Sequence, residues 1–84
     1  MSELKNTVEA LLFASGKGLT EEELSKFCDA SVGRIKARLK KLEEEYKLRD
    51  SSLIVTKHNN KWKLTVRAKY SDIIKTIASE TEFS

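Results

Sequence analysis

Leu53-Ile54-Val55-Thr56-Lys57-His58-Asn59-Asn60-Lys61-Trp62-Lys63-Leu64-Thr65-Val66-Arg67 is the stretch on which the fold of this chain turns. Apolar residues recur at every second position on both sides of Asn59-Asn60, the period of a strand with one face buried. Asparagine tolerates positive φ better than most residues, so a two-residue turn at Asn59-Asn60 closes a hairpin. That turn sets His58 opposite Lys61. Counting outward, Lys57 meets Trp62, Val55 meets Leu64 and Leu53 meets Val66, which brings the apolar side chains together on one face. Trp62 is therefore expected on the inward face, with Lys57 across its ring as a cation-π or aliphatic contact. The other face carries Ile54, Thr56, Lys63, Thr65 and Arg67. A two-stranded ribbon is barely stable alone, so the apolar face must pack on something else.

Helices upstream supply that partner. Leu4, Val8, Leu11 and Leu12 recur at helical spacing, while Ala10, Phe13 and Ala14 fall on other sides of the same helix. Glycine at Gly16-Lys17-Gly18 can take the left-handed conformation that closes it. Thr20 and Glu23 form a capping box for a second helix of about two turns, with Leu24 and Phe27 as its inward face. Asp29-Ala30 separates it from Ser31, a cap for a third helix of about sixteen residues whose stripe is Val32, Ile35, Leu39, Leu42 and Tyr46. Short helix, tight turn and long helix followed by a hairpin make a mainly α fold with a β-hairpin, a winged helix-turn-helix. Tyr70, Ile73, Ile74 and Ile77 predict a fourth helix. The expected boundaries are one domain over residues 1–78 and a polar tail over 79–84.

The chain has 84 residues, 39% of them hydrophobic, 35% charged and none proline, which suits one small domain. A domain of this size buries only about 60 to 65% of its unfolded surface, so a partner that covers further apolar area adds appreciably to its stability. Residues 1–50 carry ten basic and ten acidic side chains and residues 51–84 carry six and three, so the whole net charge of +3 lies in the C-terminal part. No apolar run approaches the roughly 18 residues of a membrane span, and the N-terminus lacks the layout of a signal peptide; a cytoplasmic protein without membrane contact is expected.

Chemistry has little to work with. One histidine, one cysteine, no phosphate-binding glycine loop and no nucleophile elbow speak against an enzyme, a metal site or a cofactor. His58 reads as a solvated residue beside the turn, and Cys28 as a small buried apolar side chain. Arg34, Lys36, Arg38, Lys40 and Lys41 lie without an intervening acid on the helix that a helix-turn-helix protein inserts into the major groove, and Arg34, Arg38 and Lys41 share a face. Lys61, Lys63 and Arg67 add positive charge where wings touch phosphates. Against DNA contact, Glu43, Glu44 and Glu45 follow at once and can pair with Lys40 and Lys41, as on a self-neutralised solvated helix. Phe13 lies on the far side of the first helix from Leu4, Val8 and Leu11. It is either buried against the third helix or the hairpin, or exposed as part of a contact with a second molecule.

The run Leu4-Lys5-Asn6-Thr7-Val8-Glu9-Ala10-Leu11-Leu12-Phe13-Ala14-Ser15-Gly16, continued by Leu19-Thr20 and Glu23-Leu24, closely resembles the start of the segregation and condensation protein B (ScpB) family. Tyr46, the strand Trp62 to Arg67 and Tyr70 extend the resemblance over nearly the whole chain. Asn59-Asn60-Lys61 stands where the family usually has glycines, and Ala68 where a proline is common. The resemblance implies a non-enzymatic, nucleoid-associated subunit of the prokaryotic condensin complex. In it two copies bind the kleisin ScpA, which bridges the SMC ATPase heads, in chromosome condensation and segregation. It also implies that Thr81 to Ser84 lead into a second winged-helix domain and that this half serves self-association. Phe13, Ala10 and Leu4 are then the candidate protein interface, and Arg34, Arg38, Lys41, Lys61 and Lys63 the candidate DNA contacts. The alternative is a winged-helix DNA-binding regulator of transcription.

Overall fold

The structure is a computed structural model that describes residues 3–81. Its elements in chain order are α1 (Glu3–Ala14), α2 (Glu21–Cys28), α3 (Val32–Leu48), β1 (Leu53–His58), β2 (Lys61–Val66), a single 3-10 turn (Ala68–Tyr70) and α4 (Ser71–Thr81). Each boundary has a local cause. Thr20 accepts a hydrogen bond from the Glu23 amide at 3.0 Å while its own amide donates to the Glu23 carboxylate at 2.9 Å, the reciprocal cap expected for α2. Asp29 ends α2 in the left-handed region at φ 54, and Ser31 caps α3 by accepting from the Arg34 amide.

The hairpin has the register that the alternation predicts, from Leu53 opposite Val66 to His58 opposite Lys61. Asn59 and Asn60 both have positive φ, at 51 and 69, as a type I′ turn demands. Asparagine thus does here what glycine does elsewhere. Lys57 Nζ stands 5.8 Å from the centre of the Trp62 ring, and the ring itself is buried.

Glycine plays a different part from the one expected of it at the end of α1. The positive φ falls on Gly18, at 90, where the chain runs alongside the hairpin: Leu19 N donates to Trp62 O at 2.8 Å and Trp62 N donates to Leu19 O at 2.7 Å. This one-residue bridge sets Leu19 against the edge of β2 that β1 leaves open. A Cβ on Gly18 would lie 3.0 Å from Trp62 O, so the close approach needs a residue without one.

The core is a single cluster of Val8, Leu12, Leu24, Ile35, Leu39, Leu42, Tyr46, Val55 and Trp62, with Leu4, Leu11, Leu19, Cys28, Leu53 and Leu64 packed on its margin. Phe27 is a correction: it is 61% exposed, because the inward side of the short α2 is taken by the fully buried Leu24 with Cys28 on the core margin. Tyr70 closes the 3-10 turn, and helix α4 begins at the next residue, Ser71, and continues through Thr81, past the expected start of a polar tail at Ser79. Residues 82–84 of that tail lie outside the described residues. Ile73 and Ile74 are exposed on α4.

Candidate functional site

Two surfaces contain the residues singled out in the sequence. The first is the outward side of α1. Val8 and Leu12 are fully buried, and one further step around the helix Phe13 is 75% exposed, so it is not buried against α3 or the hairpin. Ala10 is exposed beside it, and a depression of about 400 Å³ along the same side is lined by Glu3, Asn6, Thr7 and Ala10. Leu4 lies on the other side of the helix, half-buried against the core.

Polar links fix α1 to α3 and leave that outward side undisturbed. Lys5 Nζ meets the Glu45 carboxylate at 2.6 Å, and the Tyr46 hydroxyl donates to Glu9. The hydrogen bond from Lys5 holds the Glu45 carboxyl below the usual glutamate range, against a smaller opposing effect of burial. Burial pushes the Tyr46 hydroxyl up, and the neighbouring Glu9 carboxylate pushes the same way. Arg49 lies over the Tyr46 ring at 4.3 Å from its centre. Of the acids that follow the basic run, Glu45 is bridged to Lys5, which packing of α1 on α3 brings within reach, while Lys41 and Arg49 attract it more weakly.

The second surface is basic. Arg34, Lys36, Lys40 and Lys41 are exposed on α3, whereas Arg38 is half-buried and its Nε is shut off from solvent without a hydrogen-bond partner among the described residues. Lys61 and Lys63 project from the outer face of β2, with His58 exposed at the tip. Arg67 does not join them as a phosphate contact. Its Nε donates to Ser51 O at 2.6 Å and its Nη2 to Tyr46 O at 2.5 Å and Arg49 O at 2.9 Å, so its charge serves the end of α3. On the inner side, Glu21 accepts from the Trp62 indole at 3.1 Å and pairs with Lys57 at 3.6 Å. This Glu21 link escaped the sequence reading, although Glu21 directly follows the capping threonine.

Cys28 is half-buried on the core margin, and burial raises its thiol pKa. Among the described residues no group of three histidine, cysteine or carboxylate side chains could hold a metal ion, and no helix is long and apolar enough to cross a membrane.

The family described as segregation and condensation complex subunit ScpB matches residues 6–84. Segregation and condensation protein B of Oceanobacillus iheyensis is 35% identical over 78 residues, which cover 92% of this chain and 41% of that protein. Its namesake in Alkaliphilus metalliredigens is 26% identical over 74 residues, covering 88% and 39%. The chain thus spans about two fifths of the length of these relatives. Among solved structures, ScpB from Mycobacterium tuberculosis superposes with a TM-score of 0.85 at 24% identity, over 99% of this chain and 52% of that one. A dimer of the ScpB N-terminal domain complexed with ScpA peptide gives 0.78 at 23% identity, over 87% and 91%. These structural likenesses establish the winged-helix fold, and the family match over residues 6–84 carries the assignment. The chain belongs to the segregation and condensation complex subunit ScpB family.

Proposed function

We propose that this chain is a non-enzymatic, nucleoid-associated subunit of a prokaryotic condensin. It pairs with a second copy of itself and binds the kleisin ScpA, and through it SMC, in chromosome condensation and segregation. The observation that carries self-association is Phe13, a large apolar side chain left 75% exposed one step from the fully buried Leu12. Phe13 and Ala10 form the centre of the contact, and Leu4 anchors the helix from the core side. A small side chain at Ala10 lets another helix approach closely, and Phe13 supplies the apolar area. The likeness to a dimeric N-terminal domain complexed with ScpA peptide supports the same reading.

The transcriptional-regulator alternative is disfavoured by charge. A helix-turn-helix protein lays its first helix across the phosphate backbone while the second enters the groove. Here that first helix begins Glu21-Glu22-Glu23, which repels phosphates, and Glu43 and Glu44 directly follow the basic run of α3. Arg34, Arg38, Lys41, Lys61 and Lys63 are retained as DNA contacts only within a larger assembly.

Light scattering after size exclusion over a concentration series tests the proposal. Wild type is expected to run as a dimer and Phe13→Asp as a folded monomer. Co-purification with the kleisin encoded in the same genome then reads partner binding. A wild-type monomer at high micromolar concentration overturns self-association by this domain.

A further inference from the structure

The outer face of the hairpin presents chemistry that neither the fold nor α1 uses. From Ser51 to Tyr70 the chain contains no acidic residue but carries Lys57, Lys61, Lys63, Arg67 and Lys69. Alternation along the strands puts His58 opposite Lys61, Thr56 opposite Lys63 and Ile54 opposite Thr65, all on the side turned away from the helices. At the foot of this face lies a groove of about 520 Å³, lined by Ile54, Thr56, Thr65, Val66 and Ala68 with the stem of Arg67 and with Lys69 at its rim. Its walls are methyl and methylene groups with two hydroxyls; Arg67 and Lys69 line it, Lys63 stands opposite Thr56 on the same face, and Lys61 lies beyond towards the tip.

Three of the five cations already have a partner, Lys69 through the Tyr70 ring, whose centre is 5.3 Å from its Nζ. Lys57 is paired with Glu21, and Arg67 is held by the carbonyls of Tyr46, Arg49 and Ser51. Lys61, Lys63 and Lys69 make no ion pair among the described residues. An apolar groove on a face whose lysines have no carboxylate partner among the described residues is complementary to a chain segment with an apolar anchor beside carboxylates.

The geometry points to a second docking surface, on the outer face of the hairpin, for an acidic peptide segment of a partner protein that inserts one apolar side chain between Ile54 and Ala68. Duplex DNA fits less well. The groove is narrow and apolar where a backbone would need a flat row of donors, and the acidic start of α2 lies next to the hairpin through Glu21. The inference stands on this surface alone and holds whether or not α1 mediates self-association.

The test uses the full 84-residue chain and a set of fluorescent twelve-residue peptides in which a central Leu, Ile, Phe, Met or Trp is flanked by glutamates. Anisotropy at low salt is expected to give saturable binding for at least one peptide, weakened about tenfold by Lys61→Glu with Lys63→Glu and again by raising the salt. Ile54→Asp is expected to abolish it, and replacing the anchor by glycine to do the same. Amide shifts in an NMR titration should centre on Thr56 and Thr65. Circular dichroism checks that each variant is folded, and Thr65→Lys offers a second way to block the groove. Failure of every peptide to bind overturns the inference, as does binding indifferent to all of these substitutions, or preference for a duplex oligonucleotide over the peptides. Phe13→Asp is expected to leave peptide affinity unchanged, which separates this result from that on the dimer.

Discussion

The guanidinium of Arg67 stands 2.5 Å from the carbonyl oxygen of Tyr46, so the residue that ends the hairpin caps the helix that precedes it. The last carbonyls of a helix have no donor within it and carry the negative end of its dipole. Arg67 answers both needs at once, and its own amide is tied to Ser52 O at 2.7 Å. Helix, loop and strand are thereby closed into one ring.

Arg67→Ala is accordingly expected to destabilise the fold by about 2 to 3 kcal/mol, the range for hydrogen bonds made by a charged group. Arg67→Lys should recover less than half of this, because one ammonium cannot reproduce the fork. Urea denaturation followed by helical circular dichroism measures both. A loss under about 0.5 kcal/mol would mean that the cap contributes no more than an ordinary surface contact.

Adjacent residues on α1 should respond in opposite ways. Leu12→Ala is expected to cost about 2 to 5 kcal/mol, since Leu12 is fully buried. Phe13→Ala should leave the stability of the isolated subunit within about 0.5 kcal/mol, measured by urea denaturation at concentrations too low for association. Equal losses at the two positions would contradict the exposure of Phe13.

Gly18→Ala places a Cβ against Trp62 O in a backbone conformation that L side chains rarely adopt, and about 1 to 3 kcal/mol of destabilisation is expected. Gly16→Ala meets nothing within 4 Å and should be nearly neutral. Thermal melts of the two variants, side by side, give the comparison.

The Lys5–Glu45 pair predicts a pH dependence. Glu45 has a folded-state pKa lowered below its usual value of 4.5, chiefly by the hydrogen bond from Lys5. Its contribution is therefore complete above that usual value and is lost as pH falls through the lowered one. Wild type should melt above Lys5→Met at pH 7, and the gap should close in the acid range below 4.5. A gap that persists at the acid end would assign the stabilisation to the lysine stem.

Periodicity was enough for most of the architecture, because a pattern of burial needs only neighbours along the chain. The hairpin register, the caps at Thr20 and Ser31 and the inward Trp62 all follow from such local rules. Features made by residues far apart were not legible. The bridge between Leu19 and Trp62, the ion pair of Lys5 with Glu45 and the cap by Arg67 each join segments whose meeting depends on the packed whole. Phe27 shows the limit of a helical stripe: on a two-turn helix a single buried leucine can be enough, and the next apolar residue falls outside. At the candidate sites, Phe13 could be singled out by its position opposite the core stripe. Arg67 could not, since in sequence it is one more cation on a basic strand.

Trp62, the chain's one tryptophan, sits where three contacts converge: its backbone joins Leu19, its indole joins Glu21 and its ring lies under Lys57. Its fluorescence is consequently an intrinsic optical gauge of whether the wing is seated on the helices. Emission that shifts to the red before helicity is lost would report a wing lifting away from an intact three-helix body, with no label attached.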